Sequence, residues 1–297
     1  MRVNPNLYEV ILNGLSQSTT RENQELEQLA SGQAVNSLSD DPAAVATLVG
    51  QRTEATADAQ YLKTISSLTG SLQVADSALS SVVESLTSAI SLGVEGANGT
   101  LNDANRQAIA EQVQGIQQQL LGLANTSYAG NYLFAGTSTS TVPYVLDSTS
   151  SSGVTYQGND NTNSVEISRG QTMSVNLPGS QMFSNADNNV FQSLQDLYDA
   201  LENGGDVASA TDEVRGALNY VNSQRTFYGN SLDRLSNIQT FLNSEQTQLS
   251  EAETNTLGAD LAKTISDLAQ SETTRQALLS AAGKIPYSNL FDYLPTS

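Results

Sequence analysis

The chain has no cysteine, no histidine and no tryptophan among its 297 residues. Without cysteine and histidine it cannot form disulfides, use a thiol nucleophile, or bind zinc or haem through those ligands. We therefore expect no cofactor and no metal. Catalysis would have to use carboxylates or a Ser–Lys pair, and segment 131–183 contains no lysine. The sequence thus does not favour an enzyme.

Basic residues are also scarce in this chain. Lysine and arginine total 12 against 31 aspartates and glutamates, which gives a formal net charge of −19. Because no basic patch could neutralise phosphates, we expect neither nucleic acid nor an anionic membrane as a partner. The N-terminus lacks the apolar core of a signal peptide, and no window approaches the roughly 20 apolar residues of a membrane span. If the protein leaves the cell, we expect no cleaved signal.

Apolar residues recur at helical spacing near both ends of the chain, but each stripe is narrow. Isolated helices of this kind are marginal in water. We therefore predict that the two terminal helices are disordered in a free subunit and order by packing against each other and against neighbouring copies. The apolar tail after Pro286 is interpreted as a partner contact, with a packing plug as the alternative. The predicted packing residues are Val3, Leu7, Ile11, Leu15, Leu26, Leu29, Leu261, Ile265, Leu268, Leu279, Leu290 and Phe291.

Two long runs between these ends place apolar residues at alternating steps of three and four. They extend from Leu62 to Ile90 and from Val214 to Leu249. This spacing is typical of long helices with a coiled-coil-like seam. The first helix would be roughly 75 Å long, which predicts an elongated molecule. Asp76 and Arg225 lie on the two seams and could pair across them.

A stretch near residue 40 contains a helix stop and a helix start. Gly32 accepts the left-handed backbone at no steric cost and therefore can end a helix. Asp41 can cap the free amides of a helix whose first residue is Pro42. The neighbouring carboxylates of Asp40 and Asp41 could also suggest a metal or acid–base pair, but the proline that follows favours the cap.

The centre of the chain has a different character. Ser and Thr make up eleven of the nineteen residues in 137–155. Short alternating runs around Val154, Val165 and Met173 follow, separated by turn residues, and predict a small, mostly β insert. The stretch 159–163 could suggest a calcium loop, but it lacks the glycine and glutamate of an EF-hand, so an Asx turn is favoured.

Together these patterns predict a mainly α protein. Its fold class is an elongated bundle of long antiparallel coiled-coil-like helices with paired terminal helices and a small inserted β domain. Three domains are predicted: terminal helices at 1–40 with 256–297, helical rods at 41–130 with 184–255, and the β insert at 131–183.

Several motifs resemble the bacterial flagellin superfamily. Leu29–Gly32, Asn36 and Asp40–Ala43 are similar to the family's N-terminal signature, and Asp260–Ala282 is similar to its C-terminal partner helix. Three further motifs resemble the members that lie between hook and filament. They are Gly130–Gly136, Tyr156–Asn159 and Leu290–Leu294.

The resemblance implies a structural axial component of the bacterial flagellum. It implies a hook–filament junction subunit that links hook-associated protein 1 to flagellin and self-associates in a ring. It also implies type III export of the unfolded chain, an export chaperone near the C-terminus, and an extracellular location. Flagellin itself is the alternative, although the short insert and the Leu290–Leu294 ending favour the junction member. A generic coiled-coil module would need neither the insert nor matched terminal helices.

Overall fold

A computed structural model describes residues 6–284 of the chain, with side chains described from Glu9 onward. This part of the chain forms a mainly α fold with a small inserted β region, as the sequence predicts. Its helices are α1 (Asn6–Ser31), α2 (Pro42–Gly96), α3 (Asp103–Ala124), α4 (Gly179–Phe183), α5 (Val190–Asn203), α6 (Val207–Leu257) and α7 (Leu261–Ala282). Its strands are β1 (Ser127–Tyr128), β2 (Asn131–Tyr132), β3 (Tyr144–Leu146), β4 (Val154–Tyr156), β5 (Ser164–Ser168), β6 (Gln171–Ser174), β7 (Ser184–Asn185) and β8 (Asn188–Asn189).

The helix boundaries follow from local capping chemistry. Gly32 ends α1 with φ of +70°, and Gly204 ends α5 with φ of +73°. The Asp41 carboxylate accepts hydrogen bonds from the Ala43 and Ala44 amides, each at 3.0 Å, at the start of α2. The cap predicted at Asp41 and Pro42 is therefore confirmed.

The inserted β region consists of four separate two-stranded antiparallel sheets: β1–β2, β3–β4, β5–β6 and β7–β8. The β5–β6 hairpin pairs Val165 with Met173 and turns at Gly170, whose φ is +71°. Phe134 lies just beyond the two-residue strand β2 and is buried in the core.

A cluster of aromatic rings anchors the β region to α5. Tyr144 of β3 has its ring centroid 5.0 Å from that of Phe191 and 6.0 Å from that of Phe183. Phe134 contacts Phe183 edge to face at 5.1 Å. Gly179 allows the rings to approach, because an added Cβ there would lie 2.9 Å from the ring of Tyr144. The sheets are too small to be stable alone, so packing in this cluster contributes to their order.

Contacts divide the described residues into two compact units. Unit 1 comprises the described residues up to Thr56 and from Glu245 onward, and contains α1 and α7. Unit 2 comprises Ala57–Ser244 and holds the main apolar core. The predicted seams supply that core: Ile65, Leu72, Leu79 and Leu86 of α2 and Val214, Val221 and Leu235 of α6 are buried. The three-domain division remains a prediction.

The expectation that no window of the sequence is apolar enough for a membrane span is wrong for helix α2. One 18-residue window of α2 meets the length and composition required to cross a membrane. The apolarity of this helix has a packing explanation, because Ile65, Leu72 and Leu79 are almost completely buried against protein. A single window of this kind is weak evidence for a membrane span, since a core helix passes the same test.

The pair predicted between the two seams is present in unit 2. Arg225 Nε donates to Asp76 Oδ1 at 3.0 Å, and Nη2 donates to Asp76 Oδ2 at 3.1 Å. This two-pronged geometry fixes the register of α2 against α6 at one level. The side chain of Arg225 is 27% exposed to solvent and that of Asp76 is 35% exposed. Water therefore screens part of the attraction between the two charges.

We predict that Asp76 and Arg225 are energetically coupled. In a double-mutant cycle of Asp76→Ala and Arg225→Ala, urea unfolding should give a coupling free energy of about 0.5–1.5 kcal/mol. The matched control is the exposed pair of Asp212 and Arg215 within α6, for which about 0.5 kcal/mol or less is expected. Equal coupling in the two cycles would show that Asp76 and Arg225 do not set the register.

Candidate assembly interface

The seam between α1 and α7 is built from small side chains. The helices run antiparallel, since Gly14 faces Leu278 near one end and Gln33 forms a β-bridge with Gly258 at the other. Ser18 is 6% exposed, and its hydroxyl donates to the Ser271 carbonyl at 3.1 Å. Small residues at a helix contact allow close approach of the backbones but bury little apolar area. The pair is therefore specific in register and weak in hydrophobic stabilisation.

One ion pair crosses the same seam. Arg275 Nε lies 2.8 Å from Glu22 Oε2, and the two side chains are 39% and 16% exposed. Ile11, at 9% exposure, is a large apolar residue buried in α1. Within the described part of unit 1, polar and small contacts therefore hold α1 to α7 more than a leucine seam does.

A polar cleft of about 430 Å³ follows one side of the helix pair. Arg21, Gln24 and Gln28 of α1 line it together with residues of α7. On α7, Lys263 Nζ donates to Asp267 Oδ2 at 2.6 Å. Hydrogen bonding to Asp267 raises the pKa of Lys263 above its ordinary value, so this side of the pair stays charged at neutral pH.

The other side of the helix pair is apolar. An α-helix turns about 100° per residue, so Leu12 and Leu26 fall on the flank of α1 opposite the cleft residues. Leu261 and Ile265 fall on the corresponding flank of α7. Because cleft residues of both helices face one side, both apolar flanks face the other. We name this surface the apolar flank; it consists of Leu12, Leu26, Leu261, Ile265 and Leu279, which are 46–54% exposed.

The loop between α1 and α2 is held rigidly beside this helix pair. The Ala34 amide donates to the Leu257 carbonyl at 2.6 Å, and the Ala259 amide donates to the Gly32 carbonyl at 3.0 Å. The start of the loop is thus tied to the segment that precedes α7. Gly32 therefore acts as both a helix stop and a docking point for the C-terminal arm.

Asp40 closes the next turn of the loop instead of pairing with Asp41. Its Oδ2 accepts the Asn36 and Ser37 amides at 2.9 and 2.7 Å, and its Oδ1 accepts the Ser37 hydroxyl at 2.9 Å. Hydrogen bonds from Ser37 and then Asn36 hold the pKa of Asp40 below its ordinary value of 3.8. The two aspartates are therefore engaged in separate structural roles.

The structure places the predicted packing residues in three groups. Ile11 is buried, while Leu15 and Leu268 are half-buried. Leu26, Leu261, Ile265 and Leu279 are exposed on the apolar flank, and Leu29 is 36% exposed near the end of α1, on the face that carries Ile11. Val3, Leu290 and Phe291 lie outside the described residues, and Leu7 lies in α1 without a described side chain. Their contact with partners remains a prediction.

Sequence reasoning missed the seam itself. Its predicted packing residues are all large and apolar, whereas Ser18, a small polar residue, is buried in the contact. Thr264 and Ser271, seven residues apart on α7, are also buried. Small residues repeated at helical spacing, as in Gly14 and Ser18, were the available signal.

Comparison with known proteins identifies flagellar relatives. Residues 4–139 match the model of the bacterial flagellin N-terminal helical region. Flagellar hook-associated protein 3 of Salmonella typhimurium is 28% identical over 79% of this chain and 80% of its own length. The Escherichia coli protein of the same name is 26% identical, over 96% of both chains. Flagellin of Listeria innocua is 25% identical over 96% of this chain and 97% of its own length.

Solved structures show the same fold. A flagellar hook-associated protein from Vibrio parahaemolyticus superposes with a TM-score of 0.67 at 25% identity, over 74% of this chain and 100% of that chain. FlgL of Bacillus cereus superposes with a TM-score of 0.58 at 22% identity, over 70% of this chain and 100% of that one. The second likeness shows the fold alone.

We predict that acid loosens the turn that Asp40 closes. Because the folded-state pKa of Asp40 is lowered, its stabilising contribution is present above the ordinary carboxyl pKa and is lost as pH falls through the lowered value. In NMR spectra the Asn36 and Ser37 amide shifts should move together below about pH 4. Asp40→Asn should remove this titration, whereas the control Asp41→Asn should leave it in place. A titration that persists in Asp40→Asn would contradict the assignment.

Proposed function

We propose that this chain, which belongs to the bacterial flagellin superfamily, is a structural axial subunit at the junction between the flagellar hook and the filament. The observation that carries the proposal is its likeness to hook-associated protein 3 across 96% of both chains. In this role it would link hook-associated protein 1 to flagellin and associate with copies of itself in a ring. No catalytic step is part of the proposal.

The apolar flank supplies a physical reason for assembly. Leu26 of α1 and Leu261 and Ile265 of α7 belong to this flank, and each is at least 46% exposed in the single chain. Fully burying one such side chain contributes about 1.5–3 kcal/mol. Ordering a residue's backbone costs roughly 1–2 kcal/mol, so a narrow helix pair gains its stability when a neighbouring copy covers the flank.

The remaining partners follow from the same proposal. A flagellar subunit is located outside the cell, and this chain would reach that location through the type III export apparatus without a cleaved signal. An export chaperone would bind near the C-terminus. A weak seam between α1 and α7 is compatible with this route, because a chain held by small polar contacts is easily kept unfolded.

Flagellin is the second candidate function. The flagellin match spans 96% of this chain at 25% identity, close to the 26% of the hook-associated protein. A flagellin would extend flagellin seeds into long filaments, whereas a junction subunit would not polymerise extensively alone. Seeded growth of the purified chain therefore separates the two.

Deletion of the gene tests the proposed position in the flagellum. Cells should retain hooks, lose attached filaments and release flagellin monomers into the medium. If the chain were flagellin, no flagellin would appear in the medium. Cells that keep normal attached filaments after deletion would refute both functions.

We predict that the apolar flank is required for assembly but not for the folded state of the free chain. The double variant Leu26→Ser with Ile265→Ser should restore filaments in fewer than about one tenth of deletion cells, because each lost contact removes roughly 1.5 kcal/mol or more. Circular dichroism of the free chain should not change, since both side chains are exposed there.

The matched control is Val94→Ser, which alters an equally exposed valine of unit 2 (59%). It should restore filaments as well as the unmodified chain does. Full complementation by the double variant would show that the apolar flank does not meet a neighbour.

A further inference from the structure

Three asparagines of this chain are directly followed by glycine: Asn13, Asn98 and Asn203. In an Asn–Gly pair no Cβ shields the glycine amide nitrogen, so this nitrogen can approach the carbon of the preceding side-chain amide. Asparagine is one of the thermally labile residues of proteins. The folded environment of each pair decides whether the two groups can react, and the three environments differ.

Asn98 lies in the loop between α2 and α3. Asn98, Gly99 and Thr100 are all exposed, and a Cβ built on Gly99 would meet no atom within 4 Å outside the adjoining residues. Among residues 6–284 neither the Gly99 amide nor the Nδ2 of Asn98 has a hydrogen-bond partner. The nitrogen that could attack and the nitrogen that would leave are therefore both free, and both are open to water.

Thr100 holds the Asn98 side chain against the backbone of this loop. Asn98 Oδ1 accepts the Thr100 amide at 3.1 Å and the Thr100 hydroxyl at 2.9 Å. A hydrogen bond from the amide two residues ahead closes an Asx turn. The ring that this bond closes contains the Gly99 nitrogen, so Asn98 Cγ is kept near it. The two donors also polarise the Cγ–Oδ1 bond and would stabilise negative charge that develops on Oδ1.

The pair at Asn203 is held in the opposite way. Its Nδ2 donates to the Asp199 carbonyl at 3.1 Å, and the Gly204 amide donates to the Ala200 carbonyl at the end of α5. Reaction at Asn203 would require both hydrogen bonds to break. Asn13 lies inside α1, so its reactivity depends on whether that helix is formed.

We propose that Asn98 is a modification site at which the folded chain deamidates spontaneously. The Gly99 nitrogen loses its proton to water or hydroxide and forms a bond with Asn98 Cγ, while the Cγ–Nδ2 bond breaks and Nδ2 leaves as ammonia. Water then adds to one of the two carbonyls of the cyclic imide and opens it to aspartate or isoaspartate. One water is consumed and one ammonia is released, with no change of oxidation state.

The product changes the connection between α2 and α3. It places a negative charge just beyond the C-terminus of α2, close to the exposed Glu95, where the helix dipole disfavours an anion. Isoaspartate also lengthens the backbone inside the turn in which the Leu101 amide donates to the Asn98 carbonyl at 3.1 Å. This site lies in unit 2 and does not depend on the proposed assembly role.

Mass spectrometry of the purified full chain, incubated in heavy-oxygen water at mildly alkaline pH, tests the proposal. The peptide that contains residue 98 should lose ammonia and gain one labelled oxygen at least about tenfold faster than the peptide that contains residue 203. In guanidinium chloride, which removes the hydrogen bonds of Asn203, the two rates should become similar. Absence of conversion at Asn98 or equal rates in the folded chain would overturn the proposal. A tenfold difference that persists in guanidinium chloride would also overturn it, because the fold would then not select the site.

Variants of the loop test the two parts of the mechanism. Gly99→Ala should slow conversion at least about tenfold, because the added methyl shields the nitrogen while it meets open space in the fold. Thr100→Val removes the hydroxyl donor, keeps the amide donor and should slow conversion severalfold. The control Thr87→Val alters an exposed hydroxyl that donates to the Val83 carbonyl within α2 at 2.7 Å, and it should leave the rate unchanged. Unchanged rates in both Gly99→Ala and Thr100→Val would contradict the mechanism.

Discussion

The close contact of small side chains between α1 and α7 determines the rest of the terminal unit. The Ser18 hydroxyl donates to the Ser271 carbonyl at 3.1 Å, and the Leu278 side chain packs against Gly14. Leu278 contacts this seam, whereas Leu12 and Leu26 of α1 and Leu261 and Ile265 of α7 lie beside it and are exposed. The seam thus fixes where apolar surface remains exposed, and it does so without giving the pair much hydrophobic stabilisation. The pairing of α1 with α7 is therefore specific in register, but the pair needs additional apolar contacts for stability.

Unit 2, in contrast, is held together by large apolar side chains. Its long helices bury a continuous row of large residues, among them Leu72 and Leu79 of α2 and Leu235 of α6. Asp76 and Arg225 add one oriented ion pair, and the aromatic cluster around Tyr144 attaches the β region. An apolar core of this size supports a stable body within one chain. The difference in packing separates a unit with a large apolar core from one that leaves large apolar side chains exposed.

Much of the fold could be predicted from periodicity and capping chemistry. The seams on α2 and α6 repeat large apolar residues, and Gly32, Asp41 and Pro42 mark boundaries through backbone preferences that act locally. The pairing of Asp76 with Arg225 could be predicted because both interrupt an otherwise apolar stripe. In the β region the strands are shorter than the alternating pattern indicates, since each pairs with a single partner.

The candidate interface could be predicted only in part. Apolar residues near the ends were identifiable, but their division between seam and flank depends on which residues the partner helix contacts. Serine and threonine are usually exposed, so Ser18 and Ser271 carry no hydrophobic signal of burial.

Hydrogen exchange on the free and the assembled chain measures most directly whether neighbours complete the terminal helices. Amides of α1 between Leu12 and Leu29 should exchange rapidly at low concentration and become strongly protected once copies of the chain associate, while the buried part of α2 is protected in both states. Strong protection of α1 in the dilute free chain would contradict the dependence on neighbouring copies.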